Sequence, residues 1–297
     1  MATERMMGVG GEFCYDECRE CGCVQLRNVP VSMGPYYSSG YYAFVAPEAP
    51  SALRAIYRTV RDGLLFGRAR IARALVATIL PRLVMEPGEW LARAGVGRES
   101  RILDVGCGFG ALLRRLVDAG YRDVSGLDPF VSADLEYRGR LLVRRATLDQ
   151  AHGSYDLIMF HHSFEHIEEQ KKTMLSVARL LSPGGTCLIR VPTVSSSAWE
   201  EYKDRWVQLD APRHLFLHSR ASMERLATSA GLRVDQVVYD STRFQFEGSE
   251  LYRRDIPLRE MAEHPISPLQ RLRYSARARR LNARQQGDQA AFYLRKA

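Results

Sequence analysis

Short apolar runs alternate with amphipathic segments from Arg101 onward. The first run, Ile102 to Val105, is interrupted only by Asp104, and a glycine turn and the amphipathic segment Ala111–Gly120 follow it. Consecutive apolar residues are typical of a strand buried on both faces of a sheet, and apolar residues three and four positions apart predict a helix. Similar runs recur to the end of the chain. They predict strands at 102–105, 123–130, 141–150, 155–162, 186–192, 233–240 and 290–297.

The predicted helices lie between these strands, and this order indicates the fold class. Amphipathic segments follow the first strand, the fourth strand (from Ser163) and the fifth strand (His218–Leu232). Strands that alternate with helices form parallel sheets whose two faces are covered by the helices. We therefore predict an α/β protein with a Rossmann-like seven-stranded sheet and helices on both faces.

The chain divides into three predicted regions. Residues 1–50 form a Cys- and Tyr-rich segment, 51–97 a helical lead-in, and 98–297 the domain that carries the sheet. Two inserts, 193–214 and 244–288, interrupt the alternation of strands and helices in this domain. Ligands of open parallel sheets bind beyond the carboxyl ends of the strands, where such inserts project. The inserts are therefore candidates for substrate selection.

Composition is that of a soluble globular protein, with 297 residues and 46% hydrophobic content. The chain has no apolar run long enough to span a membrane and no N-terminal signal core, so we expect a cytoplasmic protein. The net charge is +8, and arginine recurs from Arg253 to Arg284. That segment is either a solvated basic helical face or a patch for phosphate-bearing substrates, anionic lipid or nucleic acid.

Four cysteines lie close together near the N-terminus: Cys14, Cys18, Cys21 and Cys23. The pair Cys18-x-x-Cys21 is half of a zinc-ribbon pattern, in which two thiolates of a tight turn bind one metal. A structural zinc site needs four ligands, and the chain has no second Cys-x-x-Cys pair. Zinc held by these four cysteines and a remnant without metal both stay open, and no residue is assigned as a metal ligand.

The glycine turn after the first strand predicts a nucleotide-sized ligand, and two cofactors compete for it. Gly106-x-Gly108-x-x-Ala111 satisfies the dinucleotide fingerprint, with Asp128 at the distance of its ribose-binding acid. Asp104, directly before the turn, is not part of that fingerprint. The alternate glycines also leave room for an amino-acid moiety. These features favour S-adenosylmethionine over NAD.

Four motifs in order resemble the class I S-adenosylmethionine-dependent methyltransferases. Between Arg101 and Tyr239 they read ILDVGCGFG, GLDPF, YDLIMFHHSFEHI, and LLSPGG with TCLIRVP. The N-terminal CRECGCVQL and YYSSGYY resemble the opening of zinc-ribbon-bearing methyltransferases that act on sugars and polyketide-like metabolites. The first cysteine pair and the long C-terminal domain of those enzymes are absent from this sequence. The resemblance implies a class I methyltransferase sheet, S-adenosylmethionine as cofactor, and a sugar, nucleotide-sugar or related small metabolite as substrate.

The resemblance and the chemistry of the residues indicate the same cofactor site. Asp128 is expected to bind the ribose hydroxyls, and Asp104 to anchor the glycine loop and the ammonium group. Leu148 and Asp149 lie where the family places contacts to adenine. The full predicted cofactor site comprises Asp104, Gly106, Cys107, Gly108, Phe109, Gly110, Asp128, Pro129, Leu148, Asp149 and His161.

Methyl transfer to a hydroxyl or an acidic carbon needs a base as well as alignment. His166 and His214 are the candidate bases, and Glu165-His166 matches a Glu-His pair of the resembling sugar methyltransferases. A position in the first turn of a helix would favour the neutral imidazole of His166. For both histidines, a purely structural hydrogen-bonded role is the alternative.

Aromatic and charged residues of the first insert are candidate substrate contacts, because sugars bind to aromatic faces and planar polar groups. They are Trp199, Tyr202, Trp206, Asp210 and Arg213. Packing of a lid is the alternative for the aromatic residues, and an ion pair between Asp210 and Arg213 is the alternative for the charged ones.

The sequence thus predicts an enzyme that methylates a small metabolite at oxygen or carbon. An RNA methyltransferase, a non-catalytic cofactor-binding protein of the same fold, and a dinucleotide-dependent oxidoreductase are the alternatives. The arginines after Arg253 favour the first of these alternatives, and the general reuse of one fold for many functions leaves the second open.

Overall fold

The computed structural model describes residues 1–37 and 88–297. Most of the predicted helical lead-in, and the part of the Tyr-rich segment after residue 37, lie outside the described residues. The N-terminal part forms two short antiparallel pairs. Strands β1 (Ala2–Thr3) and β2 (Glu12–Phe13) make the first pair, and β3 (Tyr15–Glu17) and β4 (Val24–Leu26) make the second.

A central sheet of eight strands organises the described part of residues 88–297. Its strands are β5 (Arg101–Val105), β6 (Asp123–Leu127), β7 (Leu135–Tyr137), β8 (Arg140–Arg144), β9 (Tyr155–His161), β10 (Leu181–Pro192), β12 (Leu232–Tyr239) and β13 (Gln289–Lys296). The strand order is β12-β13-β10-β9-β5-β6-β8-β7, with β10, β9, β5, β6 and β8 parallel to one another and β13 and β7 antiparallel to their neighbours. Strand β11 (Phe216–Leu217) lies outside this sheet and pairs with β4.

The seven predicted strands are present, and β7 is the addition. Leu135–Tyr137 is a three-residue strand that turns back onto β8 through Arg138 and Gly139, both with positive φ. Three residues are too few for an alternating pattern to be recognised in the sequence. The class I methyltransferase sheet is therefore confirmed, with one short antiparallel strand added at its edge.

Helices cover both faces of the central sheet. Neighbouring residues of a strand point to opposite faces, so each apolar strand residue packs against the helices on its own side. Ile102 packs in one core cluster with Leu113 and Leu116, whereas Leu103 packs in another cluster with Met174 and Val177. The α-helices of residues 1–37 and 88–297 are α1 (Gly88–Ala94), α2 (Ala111–Asp118), α3 (Gln170–Leu180), α4 (Ser197–Tyr202), α5 (Arg220–Ser229), α6 (Phe244–Arg253) and α7 (Pro268–Ala283). None of the helices in the described ranges is long and apolar enough to cross a membrane.

A third core cluster joins the two inserts to the N-terminal strands. Trp206 of the first insert and Phe246 of the second pack in this cluster with Ala2 and Val24. The inserts are therefore folded against the N-terminal segment and do not project freely. This cluster matters for the site, because the first insert ends at His214.

One predicted helix begins later than the sequence suggests. Ser163 does not start α3: it precedes a single 3-10 turn, Phe164–His166, and α3 begins at Gln170. The Ser163 hydroxyl donates to the main-chain carbonyl of Val105 at 2.6 Å, so it does not cap a helix. The predicted effect of a helix dipole on His166 is therefore wrong.

Candidate functional site

The glycine turn follows β5 and needs glycine at its first position. Gly106, Gly108 and Gly110 have φ values of +73°, +53° and +69°. Residues other than glycine rarely adopt this region of backbone conformation. A Cβ added to Gly106 would also lie 2.4 Å from Cβ of Ser163. The turn is thus shaped both by its own backbone and by the segment that follows β9.

Asp128, at the carboxyl end of β6, is tied to this turn. Its Oδ2 accepts a hydrogen bond from the amide of Gly108 at 2.8 Å, and its Oδ1 accepts one from the amide of Phe130 at 2.9 Å. Each carboxylate oxygen keeps a further acceptor position. The adjacent Pro129 is exposed, and the ring of Phe130 is 76% exposed. Asp128 is therefore held in place beside the turn, and its predicted role in binding the ribose hydroxyls stays a prediction.

Asp104 is the buried acid of the site. Its Oδ1 is buried and has no hydrogen-bond partner among the described residues. Burial, reinforced by the charge of Asp128, raises the pKa of Asp104 to about 8. An isolated buried carboxyl group of this kind is stabilised in its ionised form by a nearby cation. The ammonium group of the methionine moiety of S-adenosylmethionine is such a cation, so the residues fit this cofactor.

The remaining predicted cofactor residues surround the same sheet edge. Cys107 packs its sulfur against Gly126, where an added Cβ would lie 2.4 Å from Sγ, and burial raises the pKa of its thiol. Leu148 is buried and Asp149 exposed in a 3-10 turn after β8. Phe109 is half-buried beside the glycines.

His161 ends β9 as a neutral ring. Its imidazole packs against Trp90 of α1, with 4.7 Å between ring centroids and 34° between the ring planes. Burial, with the charges of Arg190 and His162, lowers the pKa of His161 to about 3. Neither ring nitrogen has a hydrogen-bond partner within the described ranges. Both nitrogens are buried. The partner Trp90 is not indicated by any motif of the sequence.

Glu165, His166 and His214 come together beside this edge. The 3-10 turn that follows β9 carries Glu165 and His166, and His214 lies two residues before β11. The rings of His166 and His214 are 4.9 Å apart between centroids, and His214 Nε2 lies 3.9 Å from Oε1 of Glu165. The structure therefore assembles the three residues that the sequence predicts to be catalytic.

In their neutral form, both imidazoles have an unprotonated Nε2. His166 Nδ1 lies 2.8 Å from the carbonyl oxygen of Arg213, and His214 Nδ1 lies 2.7 Å from that of Gln208. A carbonyl oxygen only accepts hydrogen bonds, so each Nδ1 is the donor and each Nε2 keeps its lone pair. Burial lowers the pKa of His214, which favours this neutral form. Each ring can thus accept a proton at Nε2.

Glu165 is a buried carboxylate that faces histidines. Its side chain is 1% exposed, and neither oxygen has a hydrogen-bond partner among the described residues. Burial alone would oppose ionisation, but His162, with Nδ1 at 3.5 Å, together with His166 and His214 holds the pKa of Glu165 at about 2. The site therefore contains an ionised carboxylate that can stabilise a protonated imidazole.

The same three side chains could hold a metal ion. One ligand atom from each of Glu165, His166 and His214 lies within 4.8 Å of the other two, and they form the one such group within residues 1–37 and 88–297.

The four N-terminal cysteines lie in the described region and do not form a group of this kind. Cys18 and Cys21 share a tight turn closed by the bond from the Gly22 amide to the Cys18 carbonyl.

Three of the five predicted substrate residues of the first insert are buried, and Trp199 and Asp210 are half-buried. Trp206 is fully buried and its indole donates to Asp288 at 3.1 Å; the Tyr202 hydroxyl donates to Glu250 at 2.9 Å. Trp199 lies edge-on to Trp206, with centroids 5.8 Å apart. Asp210 and Arg213 form an ion pair. The three aromatic side chains belong to the core cluster that joins the inserts to the N-terminal segment, and the two charged side chains pair with each other.

Known proteins resemble this chain along the same region. A family model described as a methyltransferase domain matches residues 68–237, more than half of the chain. A ubiquinone biosynthesis O-methyltransferase of Bordetella avium (strain 197N) is 32% identical over 111 residues, which cover 33% of this chain and 45% of the relative. A protein of the same name from Erwinia tasmaniensis is 26% identical over 125 residues, which cover 37% of this chain and 50% of the relative. The chain spans about half the length of the curated relatives it matches.

Solved structures match this chain at low sequence identity and low TM-score. A cyclopropane synthase of Mycobacterium tuberculosis has a TM-score of 0.44 and 16% identity, over 80% of this chain and 93% of that one. The magnesium protoporphyrin IX methyltransferase of Synechocystis PCC 6803, solved with bound S-adenosylmethionine, has a TM-score of 0.39 and 17% identity, over 71% of this chain and 89% of that one. From the family match, with a cofactor site that fits, we conclude that the chain belongs to the methyltransferase domain family, in its S-adenosylmethionine-dependent class.

Proposed function

We propose that this protein transfers the methyl group of S-adenosylmethionine to a hydroxyl oxygen of a small metabolite. The observation that carries the proposal is the pair of imidazoles, His166 and His214, whose Nδ1 atoms bond to main-chain carbonyls. Nε2 of His214 lies 3.9 Å from Oε1 of Glu165 and 3.8 Å from Oδ2 of Asp210. A hydroxyl acceptor must lose a proton as it is methylated, and this pair supplies the base.

The chain's own residues align and deprotonate the acceptor. When bound, the cofactor supplies a methyl carbon already activated by its sulfonium group. Nε2 of His166 or His214 takes the hydroxyl proton as the new oxygen–carbon bond forms and the sulfur–carbon bond breaks. Glu165 then stabilises the imidazolium. Because Glu165 and His214 are buried, little solvent competes for these charges.

Two observations guide the proposal on the acceptor. The motifs of this chain resemble those of sugar and small-metabolite methyltransferases, which favours a sugar or nucleotide-sugar hydroxyl. The curated relatives are named as O-methyltransferases of ubiquinone biosynthesis, which supports oxygen as the methylated atom. Both favour a hydroxyl group on a small molecule. RNA is the second candidate, because Arg271, Arg273 and Arg280 of α7 are exposed.

Transfer of a labelled methyl group tests the proposal directly. The purified protein is incubated with labelled S-adenosylmethionine and with nucleotide-sugars, lipid-linked glycans, hydroxylated ubiquinone precursors or RNA. We expect saturable labelling of one hydroxyl-bearing class and no labelling of the same compound with that hydroxyl already methylated. Labelling at carbon or nitrogen would contradict the proposal. Labelling of RNA that falls steeply with salt would support the second candidate.

Chelation separates the two ways in which this cluster could activate a hydroxyl. With an imidazole as base, turnover survives removal of divalent ions, because the proton passes to Nε2. A metal ion bound by Glu165, His166 and His214 would instead lower the pKa of a hydroxyl that it coordinates. Loss of turnover with a chelator, and recovery with Zn²⁺ or Mn²⁺, would assign the step to the ion and overturn the role of the imidazoles as bases.

A further inference from the structure

Arg213 is a fully buried cation that ties together three parts of the chain. Its Nη2 lies 2.9 Å from Oε1 of Glu4, and its Nε donates to the carboxylate of Asp210 at 3.0 Å. Its Nη1 donates to the main-chain carbonyl of Tyr36 at 2.8 Å. The side chains of Arg213 and Glu4 are both 0% exposed. Two of these three partners belong to the N-terminal segment, residues 1–37.

The carboxylate of Glu4 is also held by several hydrogen bonds. Its Oε1 accepts a hydrogen bond from the amide of Met7 at 2.7 Å, and its Oε2 accepts one from the amide of Val9 at 3.0 Å. The carboxylate is therefore fixed by its own loop before it meets the guanidinium. Glu4 and Arg213 are 209 residues apart in the sequence, so their contact is made only by the folded chain.

The same arginine touches the candidate base through its backbone. The carbonyl of Arg213 accepts the Nδ1 proton of His166, and this bond selects the tautomer in which Nε2 is free. The neighbouring His214 is fixed similarly, because its own carbonyl accepts a hydrogen bond from the Tyr15 hydroxyl at 2.9 Å. The N-terminal segment thus contacts the main chain on which both histidines depend.

A buried ion pair is a costly way to obtain stability. Removing two charges from water costs free energy that their attraction only partly returns, so apolar side chains of similar size often stabilise a core better. A rigid, directional guanidinium has another use: it fixes the position of the chain that carries it. Here that chain carries the carbonyl that faces His166.

We infer that Glu4 is a positioning residue of the active site: by holding Arg213, it keeps the carbonyl of residue 213 on Nδ1 of His166 and leaves Nε2 as the base. The N-terminal segment is then a part of the catalytic site and not an appendage. This inference rests on the proposed function. A histidine can act as the base at Nε2 only in the tautomer whose proton is on Nδ1. It concerns a proton on the enzyme and can be tested without the acceptor.

The test is nitrogen NMR of the full-length protein labelled with ¹⁵N-histidine, in the wild type and in Glu4→Gln. The chain has seven histidines, and His166→Gln assigns the signals of His166. At neutral pH we expect wild-type His166 to show a protonated Nδ1 and an unprotonated Nε2. In Glu4→Gln we expect the two shifts to move toward each other, because the tautomers exchange. A folded Glu4→Gln protein with wild-type shifts, or a wild type protonated at Nε2, would overturn the inference.

Asp16→Asn is the matched control. It breaks the pair of Asp16 with Arg27, which lies in the same N-terminal segment but is exposed. The His166 signals should not change in this variant. If Glu4→Gln does not fold, Glu4→Asp keeps the charge and shortens the side chain. Partial averaging of the two shifts in Glu4→Asp supports the inference, and wild-type shifts refute it. Because the spectrum needs no methyl transfer, a failure of the proposed reaction cannot be mistaken for a failure of this contact.

Discussion

The carboxylate of Asp128 accepts a hydrogen bond from the amide of Gly108, 20 residues before it in the sequence, at 2.8 Å. This bond joins the ends of β5 and β6 and fixes the position of the acid. Asp128→Ala removes both the bond and the carboxylate that we predict to bind the ribose. We expect the affinity for S-adenosylmethionine to fall at least 100-fold, since hydrogen bonds to a charged group contribute about 1.5–3 kcal/mol each. Titration calorimetry measures the loss.

Asp123→Ala is the control for that change. Asp123 begins the same strand at its opposite end and is exposed. Its removal should leave the affinity unchanged within about twofold, well below the tenfold that 1.4 kcal/mol represents. Equal loss of affinity in both variants would show that Asp128 acts through the stability of β6 and not through the cofactor.

Asp104 predicts a pH dependence of cofactor binding. Without ligand its pKa is raised to about 8, mainly by burial, so at pH 6.5 the carboxyl group is largely protonated. A bound ammonium group favours the carboxylate, so binding below pH 8 must release a proton and affinity must rise with pH up to that value. Calorimetry at pH 6.5 in buffers of different ionisation enthalpy counts the proton. We expect nearly one proton for the wild type and none for Asp104→Asn; no release by the wild type would refute the assignment.

Gly106→Ala tests the shape of the turn. The added Cβ lies 2.4 Å from Cβ of Ser163, and the alanine must adopt the φ of +73° that Gly106 has. We expect unfolding in urea to show a loss of about 3 kcal/mol or more, from left-handed strain of about 1–2 kcal/mol and the overlap with Ser163. Gly139→Ala is the matched control, with a φ of +74° and nothing within 4 Å of the added Cβ. It should show the strain alone. Equal losses in the two variants would mean that Ser163 yields without cost.

Trp206→Phe distinguishes packing from substrate contact. The indole of Trp206 is fully buried and bonds to Asp288, so the change leaves a buried carboxylate with one partner fewer. We expect a loss of about 1–3 kcal/mol in the free energy of unfolding, with no change in KM for the acceptor. A raised KM without loss of stability would instead support the substrate role that the sequence predicts for this residue.

Local patterns were sufficient for the central sheet. The central predicted strands contain apolar runs that the sheet buries, such as Leu157 to Phe160, and the glycine turn is recognised from its own residues. Where a long-range contact competes with local structure, the pattern misleads. Ser163 has the chemistry of a helix cap, but its hydroxyl bonds to Val105, 58 residues earlier, and the helix begins later.

The candidate catalytic cluster could be predicted only in part. Glu165 and His166 are adjacent and belong to one motif, whereas His214 reaches them through the fold of an insert. The aromatic residues of that insert have the composition of a sugar site, but Trp206 and Tyr202 are buried by the N-terminal strands and α6. Nothing in the local sequence of Glu4 indicates its contact with Arg213, because the two ends of that contact meet only in the folded chain.

The most direct test of the account is the rate of methyl transfer in His166→Ala, His214→Ala and the double variant. His152→Ala, which removes an exposed histidine, is the control. We expect the double variant to lose about 100-fold or more in kcat, the contribution of a positioned base, while its affinity for S-adenosylmethionine and the rate of the control stay at the wild-type values. A double variant that transfers the methyl group at the wild-type rate would contradict the account.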